Sequence, residues 1–127
     1  MNIQSYRPSF TVSILDSNLT RAKSVSDILE NSGYSVLHYV NEKSFDIDWR
    51  HNPPHILIVH IDDAESLNKK NVGDWLNQVL SKIPEVHIIV LAPRSHLNKG
   101  AELYESGVYD VVEFPLQNSR QLLRAVD

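Results

Sequence analysis

Short apolar runs alternate with stretches of helical periodicity from Phe10 to the end of the chain, the rhythm of a parallel sheet covered by helices. The first run, FTVSIL (Phe10 to Leu15), puts Val12 and Ile14 on one face of a strand, and Asp16, Ser17 and Asn18 then supply turn and N-cap chemistry. From Leu19, the positions Ala22, Val25, Ile28 and Leu29 recur at helical spacing until Asn31-Ser32-Gly33, whose glycine suits the left-handed position after a helix. YSVLHYV, Tyr34 to Val40, reads as a second strand. NEKSFDIDWRHNPP follows with the weakest pattern, and Phe45 and Trp49, four apart, would face the sheet from a short helix.

HILIVH, His55 to His60, is an unbroken apolar run between histidines and fits a central strand covered on both faces. Val72, Trp75, Leu76, Val79, Leu80 and Ile83 then form the stripe of a third helix, stopped by Pro84. VHIIVLA (Val86 to Ala92) predicts the fourth strand, a helix around Leu97 to Glu105 closes at Gly107, and YDVVEF (Tyr109 to Phe114) predicts the fifth strand, broken by Pro115. A last helix runs from near Asn118 through Leu122, Leu123 and Val126. The expectation is an α/β, flavodoxin-like (βα)5 three-layer sandwich with a five-stranded parallel sheet over residues 10–127, preceded by a lead of residues 1–9. In such a sheet, ligands and reactions belong beyond the carboxyl ends of the strands. The positions to weigh are therefore Asp16 and Ser17, His60 to Asp63, Ala92 and Pro93, and Phe114 and Pro115.

Composition narrows the function classes. The chain has 127 residues, of which 42% are hydrophobic, enough for one ordinary core. A net charge of −4 with scattered Lys and Arg gives no basic stripe, so direct nucleic-acid binding by this domain is not expected. The absence of cysteine excludes a disulfide frame, a thiolate metal site and a thiol nucleophile. No signal-peptide pattern or membrane-length apolar run is present, so the chain reads as cytoplasmic with no membrane association.

Four local patterns resemble the response-regulator receiver domain (CheY-like), the module that two-component histidine kinases phosphorylate. ILDSN stands where that family ends a strand in paired acids, ILENSGYSV is similar to LLxxxGYxV, PHILIVH to PDLxxxD, and YESGVYDVVEFP to AGAxDYLxKP. The intervals from Gly33 to His60 and from Ala92 to Phe114 need no gap. The same register implies a degenerate site. The phosphoacceptor position holds His60, the acid pair reads Asp16-Ser17, the hydroxyl position is Ala92, the lysine position is Phe114 and the signalling aromatic is Val111; Asp16 and Pro115 remain. Counting instead from Arg21, five residues on, would make Asp16 the second acid and Leu15 the first, and one acid remains either way. One carboxylate, a serine and an imidazole suit Mg²⁺ poorly. Loss of the lysine removes cation support for a phosphoryl group.

The resemblance thus implies a pseudo-receiver in bacterial signal transduction, not an enzyme, with no cofactor and no metal. It would act as a regulatory interaction or dimerisation module through the face of the fourth helix, fifth strand and last helix, drawing on Tyr104, Tyr109, Glu113, Gln117, Arg120, Gln121 and Arg124. The short last helix suggests continuation into a C-terminal effector domain. Other readings stay open. His60 as a phosphate acceptor needs an exposed ring, and a buried histidine bonded to Asp16 or nearby backbone fits its strand-end position better. Asp62 and Asp63, with Asp16 and His60, form a candidate cation set or displaced acceptors, although loop positions usually face water. The vacated pocket could instead sense a small ligand. Trp49 and Trp75 read as core, His38, His51, His55, His87 and His96 as scattered polar roles, and SHLNKG lacks the glycines of a phosphate loop.

Overall fold

The computed structural model describes residues 10–61 and 72–127; the lead of residues 1–9 and the candidates Asp62 and Asp63 lie outside them. The strands are β1 (Thr11–Leu15), β2 (Ser35–Tyr39), β3 (Ile56–His60), β4 (His87–Ala92) and β5 (Asp110–Glu113), and the helices are α1 (Leu19–Asn31), α2 (Glu42–Asp48), α3 (Val72–Lys82), α4 (Leu97–Glu102) and α5 (Ser119–Val126). All strand pairs are parallel, in the order β2-β1-β3-β4-β5. This is the flavodoxin-like order, whose direction reverses between β1 and β3.

Side-chain alternation sorts the core into two layers. On one face Val12, Ile14, Ile56, Ile58 and Ile89 meet Ala22, Val25 and Leu29 of α1 and Leu122, Ala125 and Val126 of α5. On the other, Leu57, Val59, Ile88 and Val90 meet Phe45 of α2, Trp75, Leu76 and Val79 of α3, and Leu103. All five residues of β3 are buried, as its unbroken apolar run predicts.

The weak segment after β2 does form a helix. Asn41 caps α2 by accepting from the Ser44 amide at 2.8 Å, and the Ser44 hydroxyl closes the reciprocal capping box. Phe45 is buried edge-on between Tyr39 and Trp75, at 5.4 and 5.7 Å between ring centroids. Trp49, at the end of the helix, is half-buried against the same cluster. The helix expected over 97–105 is a correction: only Leu97–Glu102 is α-helical, with tighter 3₁₀ turns at Arg94–His96 and Leu103–Ser106 on either side. Gly107 ends this segment at φ +93°, a left-handed conformation that favours glycine. Val40 and Phe114 fall just outside their strands, which are correspondingly shorter than expected.

Candidate functional site

Asp16 leaves the end of β1 and His60 ends β3, on either side of the switch point; Leu15 pairs with Val59, which brings these two residues side by side. Both are buried, Asp16 at 4% and His60 at 8% exposure. Asn18 caps α1 through its side chain, which accepts from the Arg21 amide at 3.0 Å. The first turn then carries the Arg21 guanidinium back over β1. There Nε donates to Asp16 Oδ2 at 2.7 Å and an Nη donates to Oδ1 at 2.6 Å, a two-point pair. The Asn18 amide also donates to Oδ1, at 2.9 Å. The Asp16 carbonyl accepts from His38 Nε2 of β2 at 2.6 Å.

The bond expected between His60 and Asp16 is therefore replaced. Arg21 takes the carboxylate, because one helical turn from the Asn18 cap presents its guanidinium to both oxygens. His60 instead meets the edge of Phe114, with ring centroids 5.1 Å apart and planes at 83°. Beside them Ala92 is fully buried, while Val111 and Phe114 are half-buried and Ser17 and Pro115 exposed. The Phe114–Pro115 peptide bond is cis. Gly100 of α4 packs so closely here that an added Cβ would lie 3.0 Å from Val111 and 3.6 Å from Ala92. A hollow of about 350 Å³ opens over this wall, lined by Arg21, His60, Pro93, Ser95, His96, Phe114 and Pro115.

Chemically, the crevice holds one described carboxylate, already neutralised by a guanidinium. Among the described residues, that donor set falls short of the near-octahedral oxygen ligation that Mg²⁺ takes. Among the described residues no three His, Asp or Glu side chains converge as a metal site requires. Phe114 places a ring at the edge of the hollow.

Away from the crevice, the residues expected on the α4–β5–α5 face split into two groups. Tyr104 is 47% exposed, with its hydroxyl fixed between Asp110, to which it donates at 3.2 Å, and the Val111 amide, from which it accepts at 3.1 Å. Burial of its hydroxyl pushes the Tyr104 pKa up, opposed by the bond from Val111 and assisted by the Asp110 charge. Gln121 is half-buried and accepts from the Gln117 amide at 2.8 Å. Gln117, Arg120 and Arg124 are exposed and Glu113 is half-buried. Tyr109, 57% exposed, lies before β5 and stacks on His87 of β4, at the opposite end of the strands from the crevice. Sequence reasoning also missed the tie between Tyr39 and Asp48, 2.5 Å long, which joins β2 to the end of α2. Donation from Tyr39, followed by that from Asn52, holds the Asp48 carboxyl below its ordinary range.

No family model matches the chain, and no curated protein matches it in sequence. Solved structures do match. A response regulator from Thermotoga maritima superposes with a TM-score of 0.78 at 18% identity, covering 91% of this chain and 92% of that one. An orphan response regulator of H. pylori gives 0.77 at 13% identity, over 94% and 95% of the two chains. NtrX from Brucella abortus, in complex with ADP, gives 0.76 at 17% identity over 91% of this chain but 26% of its own. No described helix is long and apolar enough to cross a membrane. The chain has the five-stranded, flavodoxin-like fold of CheY-like response-regulator receiver domains.

Proposed function

We propose that this chain is a pseudo-receiver, a regulatory module of bacterial two-component signalling that works without aspartyl phosphorylation and acts through protein contacts. One observation carries the reading: the carboxylate at the end of β1 is held at two points by Arg21, at 2.7 and 2.6 Å. In a phosphorylatable site, that carboxylate must be free for a metal, and the guanidinium here supplies the positive charge from within the chain. His60 in place of an acceptor and Phe114 in place of a cation support the same conclusion, because phosphoryl transfer needs charge stabilisation on the transferred oxygens.

Signalling would then pass through the surface. Tyr104, Gln117, Arg120 and Arg124 combine an anchored aromatic with exposed guanidiniums on the α4–β5–α5 face, a composition suited to a homodimer or partner contact. The match to about a quarter of NtrX supports a longer natural protein in which this module controls a C-terminal effector. The hollow beside His60 and Phe114 favours a second reading, in which a small ligand takes the place of the phosphoryl group. A backbone amide NMR spectrum with and without Mg²⁺ plus beryllofluoride tests the first reading. It predicts an unchanged spectrum; saturable shifts running from the end of β3 to β5 and α5 would overturn it.

A further inference from the structure

The amino ends of the strands carry a second constellation, remote from the crevice. Phe10, His55, His87 and Tyr109 precede or begin β1, β3, β4 and β5, which are consecutive neighbours in the sheet. The backbone ladder continues through them: the His55 amide donates to the Thr11 carbonyl at 2.9 Å and the His87 amide to the His55 carbonyl at 3.0 Å. Strand spacing therefore sets a row of four rings. Phe10 meets His55 edge-on at 5.1 Å, and His87 stacks flat on Tyr109 at 4.3 Å with planes 4° apart. The Thr11 amide donates to His55 Nδ1 at 3.0 Å, which makes that nitrogen an acceptor and fixes the ring's orientation.

Against this row lies a groove of about 390 Å³, closed on one side by Tyr34 and the end of α5, within the range of about 300–1,000 Å³ that small-molecule clefts occupy. Its lining includes two carboxylates, Glu85 and Asp127, and no lysine or arginine among the described residues. The Tyr34 hydroxyl donates to the Asp127 carboxylate, which braces the α5 wall. Phenyl and phenol faces carry negative potential and attract cations, so Phe10, Tyr34 and the carboxylates favour the same sign of ligand.

We propose that this groove binds a small organic cation with an apolar or aromatic body, an amine or quaternary ammonium compound. Its positive head would sit towards Glu85 and its body against the rings of Phe10, His55 and His87. Such a ligand would act at the end of the sheet opposite the phosphorylation-site positions, so its binding does not depend on how the crevice is read.

The test is an amide NMR titration of the whole chain with benzyltrimethylammonium, benzyl alcohol and benzoate, probes that share a ring and differ in charge. Saturable shifts confined to the amides around His55, His87 and Tyr109, with the cation binding at least about fivefold tighter than the alcohol, are expected. Glu85 is exposed, so Glu85→Gln should leave the unliganded spectrum in place while weakening the cation about fivefold and leaving the alcohol unchanged. Equal binding of cation and alcohol, tighter binding of benzoate, indifference to Glu85→Gln, or no saturation would each overturn the proposal.

Discussion

On the β1 side of the crevice every named polar group is tied within the chain: Asp16 to Arg21 and Asn18, and the Asp16 carbonyl to His38. On the β3–β5 side, the buried His60 meets the edge of the Phe114 ring, and Ala92 at the end of β4 is fully buried. One wall neutralises its charge internally, while the described residues of the other set ring against ring. The difference teaches what Arg21 does: a lone buried carboxylate at position 16 would be costly, and the guanidinium offsets it.

The first way to break this comparison is to remove the internal cation. Arg21→Ala leaves a buried carboxylate with the Asn18 amide alone, and chemical denaturation should register a loss of about 3 kcal/mol; in a double-mutant cycle with Asp16→Ala, most of that loss should appear as coupling. Equal, additive losses would mean that the pair contributes little.

Adding charge to the opposite wall should have the next largest effect. His60→Asp puts a second carboxylate beside Asp16 with no further cation to compensate it among the described residues, so stability should fall by about 2 kcal/mol. Millimolar Mg²⁺ should return part of it by binding the folded state, while the melting temperature of the parent chain stays unmoved by Mg²⁺.

Ser13 sharpens the contrast from two residues back on β1. It is fully buried, and its hydroxyl finds no hydrogen-bond partner among the described residues, unlike Asp16. Ser13→Ala should therefore stabilise the fold by about 1 kcal/mol, measured by denaturation. A loss of that size would show that the hydroxyl is satisfied after all.

The smallest effect concerns acid. Asp48 has its folded pKa depressed, so its bond with Tyr39 contributes stability above the ordinary carboxylate range and loses it as pH falls through the depressed value. Melting curves taken from about pH 5 downward should fall less steeply for Tyr39→Phe than for the parent chain.

Much of this was legible in the sequence, for physical reasons that differ by element. The buried run Ile56 to Val59 and the stripe through Trp75 and Val79 declare themselves because burial on two faces and on one face leave different periods. Gly33 and Gly107 both adopt positive φ, as their places after helical segments predict. The position of His60 at a buried strand end was also readable. The partner of Asp16 was not: Arg21 reaches it only once the Asn18 cap fixes where the helix begins, and that is geometry that spacing alone does not rank above the neighbouring imidazole. The capping box of Asn41 and Ser44, which secures the segment with the poorest periodicity, emerged only from the structure. His38 carries no signal in sequence, since its role depends on β2 lying beside β1. The same holds for the row of rings at the other end of the sheet, which exists only through the strand order.

The central claim is most directly tested by incubating the chain with acetyl phosphate and Mg²⁺ and measuring its intact mass. The account predicts no change in mass. A hydroxylamine-labile phosphoryl adduct, mapped to Asp62 or Asp63, would contradict it and make the chain a receiver with a displaced acceptor.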